Sequence, residues 1–290
     1  MQEPSCPEQS FLFGPHRNLV GTYTPAGGST PRGVTFVLMN VGVIPRTGLH
    51  RMNVRLARRL AAHGFATLRF DLSGLGDSLD AGDGLPFEAR HRADLRDAMD
   101  VLDSRQAPTG PAPGRYVLLG FCAGADLAYQ VAQEDPRVAG VVLYDGFMYP
   151  TWKTHLIRYA LRLRENGPGT LWQGLTRRLS RGRVGAPAPT PPAAPALIAS
   201  RPRPTRAAYA AGLQQLLSRG TAVYLLFSAS FLGLYNHAGQ FAAGFRRWGL
   251  HRQVHSDFLR EADHTLIDQR AQQFFLEHIA AWACRAFEPR

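Results

Sequence analysis

Short apolar runs alternate with helix-periodic stretches along most of this 290-residue chain. The runs Thr35–Val41, Phe65–Leu72, Tyr116–Phe121, Val138–Tyr144, Ala222–Ser228 and Gln253–Leu259 are short, rich in β-branched and aromatic residues, and bounded by turn formers, the pattern of buried strands. Between them, Leu95, Ala98, Met99 and Leu102 fall at i, i+3, i+4 and i+7 and predict one face of an amphipathic helix. Arg51–His63 predicts a second helix, stopped at Gly64, and Phe275, Ile279 and Trp282 predict a last one packed on the sheet. Strands alternating with helices predict an α/β fold with a mostly parallel sheet flanked by helices.

After Gly146 the alternation breaks. Thr151–Glu165 places Leu156, Tyr159, Ala160 and Leu163 on one face, and prolines follow at 187, 189, 191, 192, 195, 202 and 204. Such a run cannot be helix or central strand, and helical character returns at Ala207–Ser218. Residues 148–218 are therefore expected to form a helical, arginine- and proline-rich lid insertion. It would divide a core made of residues 1–147 and 219–290. The uncharged stretch Gly220–Phe245 is broken by Ser228, Ser230, Asn236, His237 and Gln240, so it predicts a buried strand and a loop rather than a membrane span.

Composition adds one anomaly. At 45% hydrophobic and 19% charged residues the chain is an ordinary globular one, but 33 Lys and Arg against 22 Asp and Glu leave a net charge of +11. From Thr151 to Arg206 there are eleven cations, with Lys153 the only lysine of the chain, and one anion, Glu165; the remainder holds 22 cations and 21 anions. A charge confined to one segment predicts a local surface facing an acidic partner rather than nucleic-acid binding. The alternative is the arginine, alanine, glycine and proline bias of a GC-rich genome. Three scattered cysteines, Cys6, Cys122 and Cys284, suggest no disulfide framework and fit a reducing, cytoplasmic setting. No cysteine–histidine spacing suggests a metal, no cofactor fingerprint is evident, and the N-terminus lacks the pattern of a secretory signal. Gly74-Leu75-Gly76 lacks the third glycine of a dinucleotide loop.

The sharpest chemical feature is Gly120-Phe121-Cys122-Ala123-Gly124-Ala125, set directly between a predicted strand and a predicted helix. A side chain presented at a sharp strand-to-helix turn sits in a strained backbone conformation and requires small neighbours two residues away on each side. Cys122 would then stand at a helix N-terminus, which favours negative charge on sulfur. The alternative is a buried structural cysteine between packing glycines. His264, in Glu261-Ala262-Asp263-His264-Thr265, falls on the loop between the last strand and the last helix, and an imidazole there can serve as a general base.

On these residues the chain resembles the α/β-hydrolase superfamily. Arg69–Ser78 (RFDLSGLGDS) is similar to its strand-and-turn segment, GFCAGA to its nucleophile elbow with cysteine in place of serine, and EADHT to its histidine loop. The similarity spans about Val34 to Trp282 and implies an α/β-hydrolase fold, with residues 148–218 as its variable lid. It also implies an acid after the strand AVYLLFS, where Ser228–Gln240 contains no carboxylate. The best replacement is Asp145, which ends the preceding strand; a Cys122–His264 dyad oriented by Asn236 is the competing arrangement. Asp71 and Asp77 are expected to brace their turn. For the oxyanion hole the resemblance implies backbone N–H groups of Ala123 and of Val43, in the turn after the first predicted parallel strand.

A cysteine nucleophile would form an acyl thioester, which remains activated toward water, amines and alcohols. The expected function is therefore cysteine-dependent acyl transfer, as a thioesterase or acyltransferase, on an activated acyl substrate of a biosynthetic pathway. An acidic acyl carrier protein or coenzyme A would dock at the basic lid. The superfamily's dienelactone-type hydrolases make a carboxylester or lactone hydrolase the nearest alternative, and a non-catalytic binding protein of the same fold is the third.

Overall fold

The computed structural model describes residues 7–28, 31–40, 42–106, 114–166 and 202–288. Prolines 187, 189, 191, 192 and 195, and arginines 177, 178, 181, 183 and 201, lie outside the described residues, so most of the expected arm does too. Among the described residues one eight-stranded sheet runs in the order β1-β2-β4-β3-β5-β6-β7-β8. The strands are β1 (Gln9–Phe13), β2 (Leu19–Thr24), β3 (Thr35–Leu38), β4 (Ala66–Phe70), β5 (Tyr116–Phe121), β6 (Val138–Tyr144), β7 (Ala222–Ser228) and β8 (His255–Leu259). From β4 to β8 every neighbouring pair is parallel, whereas β1 and β2 form an antiparallel hairpin whose β2 pairs antiparallel with β4.

Six strands coincide with predicted runs, some shortened at their ends. The hairpin was not predicted, because LVGTYT interleaves glycine and threonines among its apolar residues and so lacks a continuous apolar run, although four of its six residues are buried. The central strands read as continuous apolar sequence because both faces are covered. Val37, Leu68, Leu118, Val141 and Leu225 face one core, built with α2 (Phe87–Gln106), α3 (Ala123–Glu134) and α5 (Arg206–Ser218). Phe36, Leu119, Phe121, Val142 and Leu226 face the other, built with α1 (Met52–Ala62) and α7 (Gln269–Ala286). Between α3 and α5 the chain makes α4 (Trp152–Asn166), and before β8 a short α6 (Gln240–Phe245). Sequence periodicity did not reveal α6, which spans only six residues.

The stretch Arg206–Ser218, grouped on sequence with the insertion, buries Tyr209, Ala210, Leu213 and Leu216 against the sheet layer and serves as the helix between β6 and β7. Thr205 caps it, its hydroxyl accepting from the Ala208 N–H at 3.2 Å. By contrast, α4 leaves Trp152, Leu156 and Tyr159 exposed. No helix among the described residues is long and apolar enough to cross a membrane.

The turn from β5 into α3 tolerates no side chain at Gly120. A Cβ there would lie 2.1 Å from the Gly124 carbonyl oxygen and 2.5 Å from the Ala125 nitrogen, both backbone atoms that cannot move aside. At Gly124 a Cβ would meet the Asn40 carbonyl oxygen at 3.4 Å, which is merely tight. Gly120→Ala is therefore expected to destabilise the fold by about 3 kcal/mol or more, with Gly124→Ala far milder. Urea denaturation of the two variants checks this ordering.

Candidate active site

Adjacent parallel strands bring the chemistry together. In the β5–β6 register Phe121 lies opposite Tyr144, so Cys122 and Asp145 leave neighbouring strand ends side by side. The Cys122 N–H donates to the Tyr144 carbonyl at 2.8 Å, and the Asp145 N–H to the Leu226 carbonyl of β7 at 2.9 Å. Both residues have positive φ, 54° at Cys122 and 50° at Asp145. A non-glycine side chain in that region is strained, and two such residues at adjacent strand ends mark a place where the surroundings over-determine the backbone.

Asp145 is completely buried. Its Oδ1 accepts from the Ser228 N–H at 2.7 Å, and its Oδ2 from the Ser228 hydroxyl at 2.7 Å. The same Oδ2 pairs with His264 Nδ1 at 2.8 Å. Three donors thus replace the water that burial removes. The loop bearing His264 is held separately: its N–H donates to the Ser230 hydroxyl at 2.6 Å, and Ser230 is tied back through its own N–H to the Ser228 hydroxyl at 3.3 Å. Tyr144 completes the seat, its hydroxyl donating to the Asp263 carbonyl at 2.9 Å and its ring lying nearly parallel to the imidazole.

With Nδ1 occupied by Asp145, the other nitrogen, Nε2, is left free of the carboxylate, and Cys122 lies close enough to act on the imidazole electrostatically. Burial disfavours the imidazolium, but the hydrogen bonds to Asp145 and Cys122 and their negative charge outweigh it, and His264 is pushed up to about 9. Cys122, His264 and Asp145 are therefore contiguous. Asn236 is not part of the group: its amide donates to the carbonyls of Thr154 and Leu232, both at 3.0 Å.

A cavity of about 390 Å³ opens beside Ala123 and Gly124, the residues that follow Cys122. Both nominated oxyanion residues, Ala123 and Val43, line it, and Val43 is 79% exposed at the tip of its turn. Leu72, Leu75, Phe87 and Leu127 supply apolar wall, and His91 and Gln130 polar groups. His50 and Arg51 are exposed and do not line it. The turn carrying Val43 is fixed by Asp71, which accepts from the Arg46 N–H at 2.6 Å, from Asn40 Nδ2 at 2.9 Å and from the Asp77 N–H at 3.2 Å. Arg46 also pairs with the carboxylates of Asp71 at 2.6 Å and Asp77 at 2.5 Å. Asp71 and Asp77 thus brace the turn.

Sequence reasoning missed Ser228, Ser230 and Arg46. The signal for the serines was present in AVYLLFSAS, where hydroxyls occupy the strand end from which a carboxylate is missing.

The alpha/beta hydrolase family profile matches residues 46–283, and the chain belongs to that family. Among solved structures it is similar to an esterase from Pyrococcus furiosus, at 14% identity and a TM-score of 0.57 over 97% of this chain and 92% of that one. It is similar as well to a putative dienelactone hydrolase from Klebsiella pneumoniae, at 15% identity and 0.51, over 96% and 98%. A soluble variant of monoglyceride lipase from Saccharomyces cerevisiae aligns at 13% identity and 0.54, over 99% and 98%. At these identities the likeness is one of fold. No curated protein sequence matches the chain.

Because the folded His264 sits at about 9, above its ordinary 6.5, the imidazolium contributes stability that is full below pH 6.5 and is lost as pH rises through 9. Proton NMR of His264 is expected to give a midpoint near 9, and Asp145→Asn should lower it. In parallel, the urea midpoint of the wild-type protein should fall between about pH 6.5 and 9 more than that of His264→Gln.

Proposed function

We propose that the protein is an acyl-transfer enzyme working through an acyl-Cys122 intermediate on activated esters, thioesters above all. The observation that carries this reading is the 2.8 Å bond between Asp145 and His264 beside the strained Cys122 turn. Cys122 is the N-cap residue of α3, so its sulfur stands at the helix N-terminus and beside the His264 imidazole. The sulfur attacks the substrate carbonyl, the S–C bond forms, and the developing oxyanion is held by the N–H groups of Ala123 and Val43. As the carbonyl re-forms, the leaving thiolate or alkoxide departs with the proton from His264. Water or an acceptor nucleophile then gives a proton to His264, attacks the thioester and releases Cys122.

The apolar wall of Leu72, Leu75, Phe87 and Leu127 suits an aliphatic or aromatic acyl group. The relocated acid fits a thiol nucleophile, which is intrinsically more reactive than a hydroxyl and depends less on an oriented base. A second reading, carboxylester hydrolysis, is favoured by the esterase and lipase among the similar structures.

Intact-mass spectrometry after exposure to a short acyl thioester should reveal one acyl adduct, lost in Cys122→Ala. Its absence across thioester and ester donors would favour a non-catalytic binding protein. Asp145→Asn is expected to slow turnover by roughly 10²-fold or more; unchanged turnover would remove Asp145 from the mechanism. Free acid accumulating without an added amine or alcohol identifies water as the acceptor, and a preference for oxygen esters over thioesters would select the second reading.

A further inference from the structure

Two arginines of the molecule are neutralised in tight carboxylate networks. Arg90 pairs with Asp83, Asp94 and Asp97, and Arg137 with Asp100, Asp103 and Asp135. An open cleft of about 730 Å³ gathers arginines without such networks. It is lined by Arg206, Arg246 and Arg247 with Ala243 and Gly244, and among the described residues no carboxylate lines it.

Among the described residues none of the three arginines has an ion-pair partner. Arg206 donates to the Pro150 carbonyl at 2.6 Å, which fixes its head group without neutralising it. The Arg247 guanidinium lies 3.7 Å from the centre of the Trp248 ring, a contact that likewise orients the fork and leaves its charge unmatched. Nor can the neighbouring stretch 167–201 neutralise them, since it has no Asp or Glu. Arg206 also opens α5, where the helix dipole adds to the positive potential.

The cleft and the cavity beside Cys122 are linked by one short stretch of chain. Pro202 lines the cavity and Arg206 the cleft. Four residues of extended chain span at most about 14 Å, a separation within the length of one elongated donor. We propose that Arg206, Arg246 and Arg247 form a phosphate subsite that holds the diphosphate of a nucleotide-linked acyl thioester while its acyl group occupies the cavity beside Cys122. The substrate assignment rests on the acyl-Cys122 reading; the phosphate subsite itself does not. Three arginines lining one depression match the clustered negative oxygens of a diphosphate, which guanidinium forks pair with strongly. A carrier-protein surface, with its carboxylates spread over a wide face, fits this small cleft less well.

The test has two arms on the full-length protein. Titration calorimetry with inorganic pyrophosphate should show binding that weakens by at least about tenfold in Arg246→Ala/Arg247→Ala. Arg270→Ala/Arg285→Ala, which removes two exposed arginines of α7, should leave it unchanged. No binding to the wild-type protein, or equal weakening in both double variants, overturns the subsite. In the second arm, the acylation rate of Cys122 by acetyl-coenzyme A should drop in Arg246→Ala/Arg247→Ala, while the rate with the phosphate-free thioester S-acetyl-N-acetylcysteamine stays unchanged. Equal loss with both donors overturns the link between cleft and acyl cavity. Should neither donor acylate the wild-type protein, the acyl-Cys122 reading fails and the pyrophosphate result alone decides the subsite.

Discussion

A carboxylate with no solvent exposure must be solvated by protein, and at Asp145 the Ser228 N–H, the Ser228 hydroxyl and the His264 imidazole do so. That constraint organises the site. The carboxylate is fixed because its backbone is pinned between β5 and β7, and the imidazole is fixed because Asp145 and Ser230 hold its ring and its N–H separately. His264 therefore keeps one edge for Cys122, and its proton is retained well above the ordinary histidine range. Removing any one of these contacts would leave a buried group unsatisfied, which costs more than the bond contributes when formed.

The same strand ends store strain. Positive φ at Cys122 and Asp145 persists because the sheet holds both sides of each residue, and because Gly120 lets α3 begin within van der Waals distance of β5. Packing thus supports the chemistry from beneath: Phe121, Tyr144 and Phe275 lie in one aromatic cluster under the loop that carries His264. On the other side, the bracing of Asp71 by Arg46 and Asn40 sets the turn that faces Ala123 across the cavity.

Much of this was legible in the sequence, for identifiable physical reasons. Buried parallel strands have continuous apolar runs, so Tyr116–Phe121 and Val138–Tyr144 could be delimited to the residue. The elbow was legible because glycine is demanded at Gly120 by a backbone clash. Asp145 could be nominated through the family resemblance, as a carboxylate ending the strand before the one where the family's acid is missing. The antiparallel hairpin was hidden, since β1 is a largely exposed edge strand and β2 mixes glycine and threonines with its apolar residues. The serine pair was hidden too, because a hydroxyl that solvates a buried carboxylate looks in sequence like any serine at a turn. The helical period of Arg206–Ser218 alone could not tell a sheet-packed helix from one lying over the sheet. The charge anomaly has likewise changed meaning. Five of its arginines fall outside the described residues, and the unpaired cluster that is described draws two of its three members, Arg246 and Arg247, from beyond the basic segment.

The central claim is that Asp145, His264 and Cys122 act as one coupled unit, and the rate of Cys122 alkylation by iodoacetamide at neutral pH tests it without assuming any substrate. If the three are coupled, His264→Ala and Asp145→Asn should each slow alkylation by about tenfold or more, with the double variant no slower than His264→Ala alone. Rates equal to that of the wild-type protein, or losses that multiply in the double variant, would contradict it.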